Sequence, residues 1–174
     1  MVNELATLLI EKKAIEFGEF TLASGQKSTY YIDIKTASMQ PDLLGPIAQE
    51  IAERFSFDVV AGVAVGAIPL AVAVSLAAQK PCAVIRKEEK EHGKTSTIIG
   101  KVDGKRVLLV EDVTTSGGSV RYGLETLRHA GARVDEVVTV VDREQGAKDR
   151  LAEDQVALVP LVLVSELLDR DPRV

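Results

Sequence analysis

Largely apolar stretches recur along this chain, at Val59–Val63, Ala83–Arg86, Val107–Val110, Val134–Val141 (interrupted by Asp135, Glu136 and Thr139) and Val156–Leu161. A strand with one face in water alternates apolar and polar residues. A strand apolar throughout must be covered on both faces, as in a parallel sheet with helices on each side. Helical spacing fills the intervals at Ile68–Ala78, 119–130 and 144–152, so strands and helices alternate. That rhythm predicts an α/β fold with a central, mainly parallel sheet flanked by helices. With 174 residues the chain is expected to form one domain, 1–174.

Ahead of this rhythm, residues 2–15 place Leu5, Leu8, Leu9 and Ala14 near helical spacing. Phe20–Leu22 and Ser28–Ile34 read as short strands around a turn at Ser24-Gly25, and a second amphipathic helix runs from about Asp42 to Phe55 behind Pro41. Residues 1–40 are expected to form a small N-terminal lobe over the sheet edge.

Composition narrows the class. Hydrophobic residues make up 46% but aromatic ones only 4%, with no Trp, so the core is built from Val, Ala, Leu and Ile. A net charge of −5 argues against a general nucleic-acid surface, and makes local clusters of positive charge informative about an anionic substrate. The single cysteine, Cys82, excludes an internal disulfide and fits a reducing cytoplasm. Its apolar run, 82–85, favours a buried structural thiol over a nucleophile. The N-terminus lacks a basic region followed by an apolar stretch, so no signal peptide is expected. The long apolar region Val59–Ala78 is divided by Gly62, Gly66 and Pro69 into strand, turn and helix, so no membrane span or membrane partner is expected.

The segment 107–120 carries the chemistry. The apolar strand runs into two adjacent carboxylates, Glu111 and Asp112, followed by Val113, Thr114, Thr115, Ser116, Gly117, Gly118 and Ser119 before a helix. Beyond the carboxyl ends of parallel strands lies the crevice where α/β proteins bind ligands. Backbone N–H groups at the following helix start can surround a phosphate there. Carboxylates beside such a cradle would repel the anion unless they had another task. Ribose hydroxyls or a bound Mg²⁺ would each supply one. A simple hydroxyl N-cap is the plainer alternative, but it accounts for neither the paired acids nor the paired glycines.

Other constellations gain meaning from their placement. Arg86, Lys87, Lys90 and His92 leave the carboxyl end of a neighbouring strand on a stretch without apolar periodicity. This is either a solvated loop or a segment that folds over the site, carrying cations to a diphosphate and excluding water. Gly62 to Gly66 makes a tight strand-to-helix turn whose amides could face pyrophosphate, but it lacks the third glycine of a dinucleotide fingerprint. Asp142-Arg143 ends another buried strand in the same crevice. The guanidinium of Arg143 suits a carboxylate, and a helix-capping ion pair is the equal alternative. His129, late in a helix, is expected to meet that helix's C-terminal end and no substrate.

Together these segments resemble the orotate phosphoribosyltransferase family, in order and over nearly the whole chain. The block Phe17–Asp33 is similar to the family's orotate-side lobe, Arg86–Gly93 to its mobile catalytic loop, Glu111–Ser119 to its loop for phosphoribosyl diphosphate (PRPP), and Asp142-Arg143 to its orotate-binding arginine. The resemblance implies a type I phosphoribosyltransferase fold with an N-terminal hood. It also implies Mg²⁺-dependent transfer of the 5-phosphoribosyl group from PRPP to orotate, giving orotidine 5′-monophosphate and diphosphate in pyrimidine biosynthesis. On matching positions, Arg86, Lys87, Lys90 and His92 would contact the diphosphate, with Lys90, His92 and Asp112 catalytic. Glu111 and Asp112 would hold the ribose hydroxyls, Val113 to Ser119 the remainder of PRPP, and Thr115 with Arg143 would meet orotate. Mg²⁺ would be held mainly by PRPP, with no dedicated protein ligands. A cytoplasmic homodimer with a shared active site follows from the same resemblance. Two positions depart from the pattern: bacterial members often carry Lys where this chain has Ala23, and Lys-Gly where it has Gly66-Ala67. Rival readings are a phosphoribosyltransferase for another base and a PRPP-sensing regulator of the same fold.

Overall fold

The computed structural model describes residues 4–21, 25, 27–87 and 97–170. In chain order the elements are α1 Glu4–Glu11, β1 Ile15–Thr21, β2 Lys27–Ile32, α2 Ile34–Ala37, α3 Pro41–Arg54, β3 Val59–Val63, α4 Ile68–Ala78, β4 Cys82–Ile85 and β5 Ile98–Ile99. They continue with β6 Val107–Thr114, α5 Gly118–His129, β7 Glu136–Asp142, α6 Ala147–Glu153, β8 Ala157–Leu163 and α7 Val164–Leu168. The main sheet has the order β5-β4-β3-β6-β7-β8. Every pairing in it is parallel except the short antiparallel edge β4–β5.

Successive strand residues point to opposite faces, and both faces are dry. Val60, Leu108, Val110 and Val138 pack with Leu43, Ile47, Ile51, Leu70 and Val74 of α3 and α4. Val59, Ala61, Val107, Leu109 and Val137 pack on the other face with Leu124 and Leu127 of α5 and Leu151 of α6. Burying one such side chain fully contributes about 1.5–3 kcal/mol. The demand for cover on both sides therefore decides the three-layer arrangement the apolar strands predict.

Four helices close on the same backbone reversal, and at the first of them the end differs from the sequence expectation. The spacing predicts a first helix through residue 15, but Lys13 takes a left-handed φ of 55° and the Ala14 N–H reaches back to the Leu9 carbonyl at 2.8 Å. This closes the helix with a reversal that frees Ile15 to begin β1. Gln79 and Gln155 do the same after α4 and α6, and Gly131 after α5. β1 and β2 form a separate antiparallel pair. The second predicted strand stops at Ile32 because the Asp33 carboxylate accepts from the Thr36 N–H (3.0 Å) and hydroxyl (2.7 Å), capping α2. Leu5 and Leu9 of α1 share the α3–α4 core, and α1 lies against the edge strand β8 and α7.

One strand end matters for function. β6 does not stop at Val110 as its apolar run suggests; it continues through the acids to Thr114, pairing Glu111 with Thr139 and Thr114 with Asp142. Because α4 and β4 lie to one side of β3 and β6 to the other, strand order switches direction between β3 and β6. A crevice opens at their carboxyl ends.

Candidate active site at the sheet switch point

Glu111 and Asp112 reach that crevice from within the sheet and are only 5% and 6% exposed. Two neighbouring carboxylates in so dry a place cannot both ionise cheaply. Burial, and then the Asp112 carboxyl beside it, pushes Glu111 from the ordinary 4.5 up to about 8, against the pull of the Lys87 charge. Free Glu111 is therefore largely a neutral hydrogen-bonding group near neutral pH.

Beyond the acids the chain divides its hydroxyls. Thr114 is buried and its hydroxyl donates to Asp142 Oδ1 at 3.1 Å, an oxygen that also accepts from the Glu144 N–H at 3.1 Å. The Arg143 N–H donates to the Thr114 carbonyl at 2.9 Å. The Thr114 side chain thus locks the ends of β6 and β7 together, while Thr115 and Ser116 are exposed. Gly117 follows at φ 80°, a conformation that suits glycine, and α5 starts at once. The first hydrogen bond of the new helix runs from the Arg121 N–H to the Gly117 carbonyl, so the amides of Gly118, Ser119 and Val120 precede any helical partner. They form an anion-attracting helix start.

Beside the acids lies a cavity of about 220 Å³ lined by Tyr31, Asp33, Lys35, Asp112, Thr115 and Arg143. The Arg143 guanidinium lies 5.5 Å from the Tyr30 ring centroid, with one N–H end 3.5 Å from the Tyr30 hydroxyl. Its Nε is buried without a hydrogen-bond partner. Among the described residues Arg143 makes no ion pair, which removes the capping alternative. A buried cationic donor held by an aromatic ring and facing a polar cavity suits a planar carboxylate.

Arg86 is half-buried at the end of β4, its N–H on the Thr97 carbonyl (2.8 Å) and its carbonyl accepting the Tyr122 hydroxyl (2.9 Å). Lys87 is exposed but close enough for its charge to be felt at Glu111. Lys90, His92 and Ala23 lie outside the described residues. His129 behaves as its position predicts, with Nδ1 2.7 Å from the Glu125 carbonyl within its own helix. Cys82 is only half-buried, because it stands at the exposed start of β4. A larger hollow of about 710 Å³, lined by Lys101, Lys105 and His129, lies at the far end of α5 and lacks both acid pair and glycine turn. Lys35, Tyr30 and Tyr31 enter the site without having been singled out by sequence. The two tyrosines fell inside the Phe17–Asp33 block, whereas Lys35 follows it with no motif of its own.

Acid pair, helix-start cradle and switch-point crevice together have the chemistry to receive a sugar phosphate. The family described as the phosphoribosyl transferase domain matches residues 41–161. Orotate phosphoribosyltransferase of Methanoculleus marisnigri is 67% identical over 169 residues, covering 97% of this chain and 99% of that protein. Among solved structures, the orotate phosphoribosyltransferase of Mycobacterium tuberculosis in complex with Fe(III) dicitrate superposes with a TM-score of 0.83 at 32% identity, covering 95% of this chain and 97% of that one. The same protein in complex with PRPP gives a TM-score of 0.77 at 30% identity, with coverage of 95% and 97%. The chain belongs to the orotate phosphoribosyltransferase family of phosphoribosyl transferases.

Proposed function

We propose that this protein transfers the 5-phosphoribosyl group from PRPP to N1 of orotate, releasing diphosphate and forming orotidine 5′-monophosphate. The observation that carries the reading is the pairing of a buried acid couple with an unpartnered, buried guanidinium nitrogen across one small polar cavity. The amides at the start of α5, with Thr115, Ser116 and Ser119, take the 5-phosphate. Glu111 and Asp112 accept the ribose hydroxyls, and Arg143 with Thr115 takes orotate. Uracil and adenine lack the carboxylate for which an arginine fork is suited, which favours orotate over another base.

Breaking the C1–oxygen bond leaves positive charge on the sugar and negative charge on the departing diphosphate. Arg86, Lys87, Lys90 and His92 stand on the segment that meets the latter, stabilising it as it forms. Orotate ionised at N1 is already nucleophilic and needs orientation more than activation. Among the described residues no group of three or more His, Cys, Asp or Glu side chains could cage a metal. The two acids fit a divalent cation that arrives on PRPP oxygens. When bound, Mg²⁺ neutralises phosphate charge and so assists departure of the diphosphate.

The whole chain, 1–174, acts as one phosphoribosyltransferase domain with residues 1–40 as its hood, in the cytoplasm. It works as a homodimer with a shared active site. Supporting this, α4 is apolar all round, yet Val72 and Leu76 remain 42% and 66% exposed. Among the described residues no helix is long and apolar enough to cross a membrane. The direct test mixes purified protein with Mg²⁺, PRPP and orotate and follows the loss of orotate absorbance. Loss that needs all components, and that uracil and adenine do not inhibit, is expected. Faster turnover of uracil or adenine, or none of any base by folded protein, would overturn the reading.

A further inference from the structure

Gly66 ends the turn after β3 at the place where strand order reverses, and space above it is already taken. A Cβ added there would lie 2.8 Å from Lys35 Cε and 2.7 Å from Asp112 Oδ2. The far end of the lysine and the carboxylate of the acid pair thus converge over one bare glycine. Lys35 comes from α2, whose capping by Asp33 fixes the direction in which the side chain leaves. Among the described residues its ammonium has no hydrogen-bonded or ion-paired partner, and its charge reaches the Asp33 carboxylate. With Arg143 it is one of two cations lining the same cavity.

The proposed placement of substrates assigns the remaining role. With the 5-phosphate at the start of α5, the ribose hydroxyls on Asp112 and orotate on Arg143, the bond from C1 to diphosphate points toward the β3 turn. Lys87 already brings positive charge within reach of Glu111. We infer that Lys35 is a substrate-binding residue whose ammonium reaches over Gly66 to the diphosphate of PRPP, doing from α2 what the glycine has no side chain to do. The inference rests on the proposed reaction. When the C1–oxygen bond breaks, the electron pair goes to the diphosphate oxygen, and Lys35 holds a partner whose charge is growing. A lysine suits that task as a compact point charge, while the planar fork of Arg143 suits the carboxylate.

The test compares Lys35→Met, which keeps the stem and removes the charge, with Lys35→Arg. Lys35 is exposed, so both variants should fold, checked by circular dichroism and Tm. One charge-assisted contact is worth roughly tenfold or more in affinity. Lys35→Met should therefore raise the PRPP KM and lower kcat by about tenfold each, leaving the orotate KM within about twofold. Calorimetry with Mg²⁺ and inorganic diphosphate should show a matching loss, ribose 5-phosphate should bind as before, and Lys35→Arg should recover most of both. A merely structural Lys35 supporting Asp112 would instead weaken ribose 5-phosphate, and that result overturns the inference. So does an unchanged diphosphate affinity, or a change confined to the orotate KM. Wild-type protein inactive with orotate would instead overturn the reaction itself, so the two failures are separable.

Discussion

Glu111 sits against Asp112 at the dry end of β6, and its state sets a pH dependence that can be worked out with sign. Its folded pKa of about 8 lies above the ordinary 4.5, so folding favours the neutral form. The stability this confers is full below the ordinary value and is lost as pH rises through about 8. Glu111→Gln, permanently neutral, should match wild-type Tm at pH 4.5 and below, gain on it as pH rises, and exceed it by a steady margin above about pH 8. Thermal melts across that range would show it, and a constant difference would remove the buried acid as the cause. On the proposed placement of PRPP, binding follows the opposite form, since a carboxylate accepts both ribose hydroxyls whereas the acid also donates. PRPP binding should strengthen up to about pH 8 and release a proton, seen by calorimetry in buffers of different ionisation heat. Glu111→Gln should abolish the release. Arg143 makes a simpler forecast. Its buried Nε has no protein partner, so truncation takes away a ligand contact and breaks no internal hydrogen bond at that atom. Arg143→Ala should raise the orotate KM roughly 10- to 100-fold while the PRPP KM holds, in steady-state kinetics. An unchanged orotate KM would take Arg143 out of the base site.

At the scale of elements, α5 must lie close to the sheet for its first amides to face the crevice, and Gly123 sets that distance. A Cβ there would be 2.8 Å from Val63 Cγ2 and 3.3 Å from Leu109 Cδ2. Alanine would gain about 1 kcal/mol in helix propensity but lose about 1–3 kcal/mol to overpacking against a stiff, buried valine. Gly123→Ala should therefore lower the urea midpoint and, by lifting the helix start, raise the PRPP KM. A midpoint at or above wild type would mean that α5 has slack. The same elements show what sequence can and cannot disclose. Strands wet on neither face declare themselves by composition, and α4 runs over Ile68–Ala78 as its spacing predicts. The end of α1 hides, because Lys13 occupies a left-handed position where glycine would be the signal, whereas Gly131 announces the reversal after α5. β6 looks finished at Val110 because Glu111 and Asp112 read as loop, although pairing with β7 carries them on. α2, β5 and α7 are too short to show a period. In the site, the acids, the glycine turn and Arg143 stand in local motifs and are legible. Lys35 is not, because its meaning depends on Gly66, which only the fold brings beneath it.

At the scale of the whole molecule, cover for apolar surface is incomplete over α4. Most helices here bury a stripe and show a polar back, but α4 has only Ser75 to show, and a helix apolar all round ordinarily lies inside something. One side meets α3 and the sheet; the other leaves Val72 and Leu76 open, and Val65, in the turn just before it, is 80% exposed. That turn borders Asp112 through Gly66, so whatever covers α4 also adjoins the active site. On the proposed shared-site homodimer, a second copy of the chain would cover this face and so adjoin the site. Wild-type protein should sediment as a dimer, and Leu76→Glu, which buries a charge in the contact, should sediment as a folded monomer with lowered kcat. Subunit mixing then separates a shared site from mere adjacency. Lys90→Ala and Arg143→Ala proteins, each nearly inactive under limiting orotate, should regain activity when unfolded and refolded together, because a hybrid dimer gathers both lesions into one site and leaves the other intact. Recovery can occur only if Lys90 of one subunit serves the Arg143 of its neighbour; dimers that form without any recovery would place each loop over its own site.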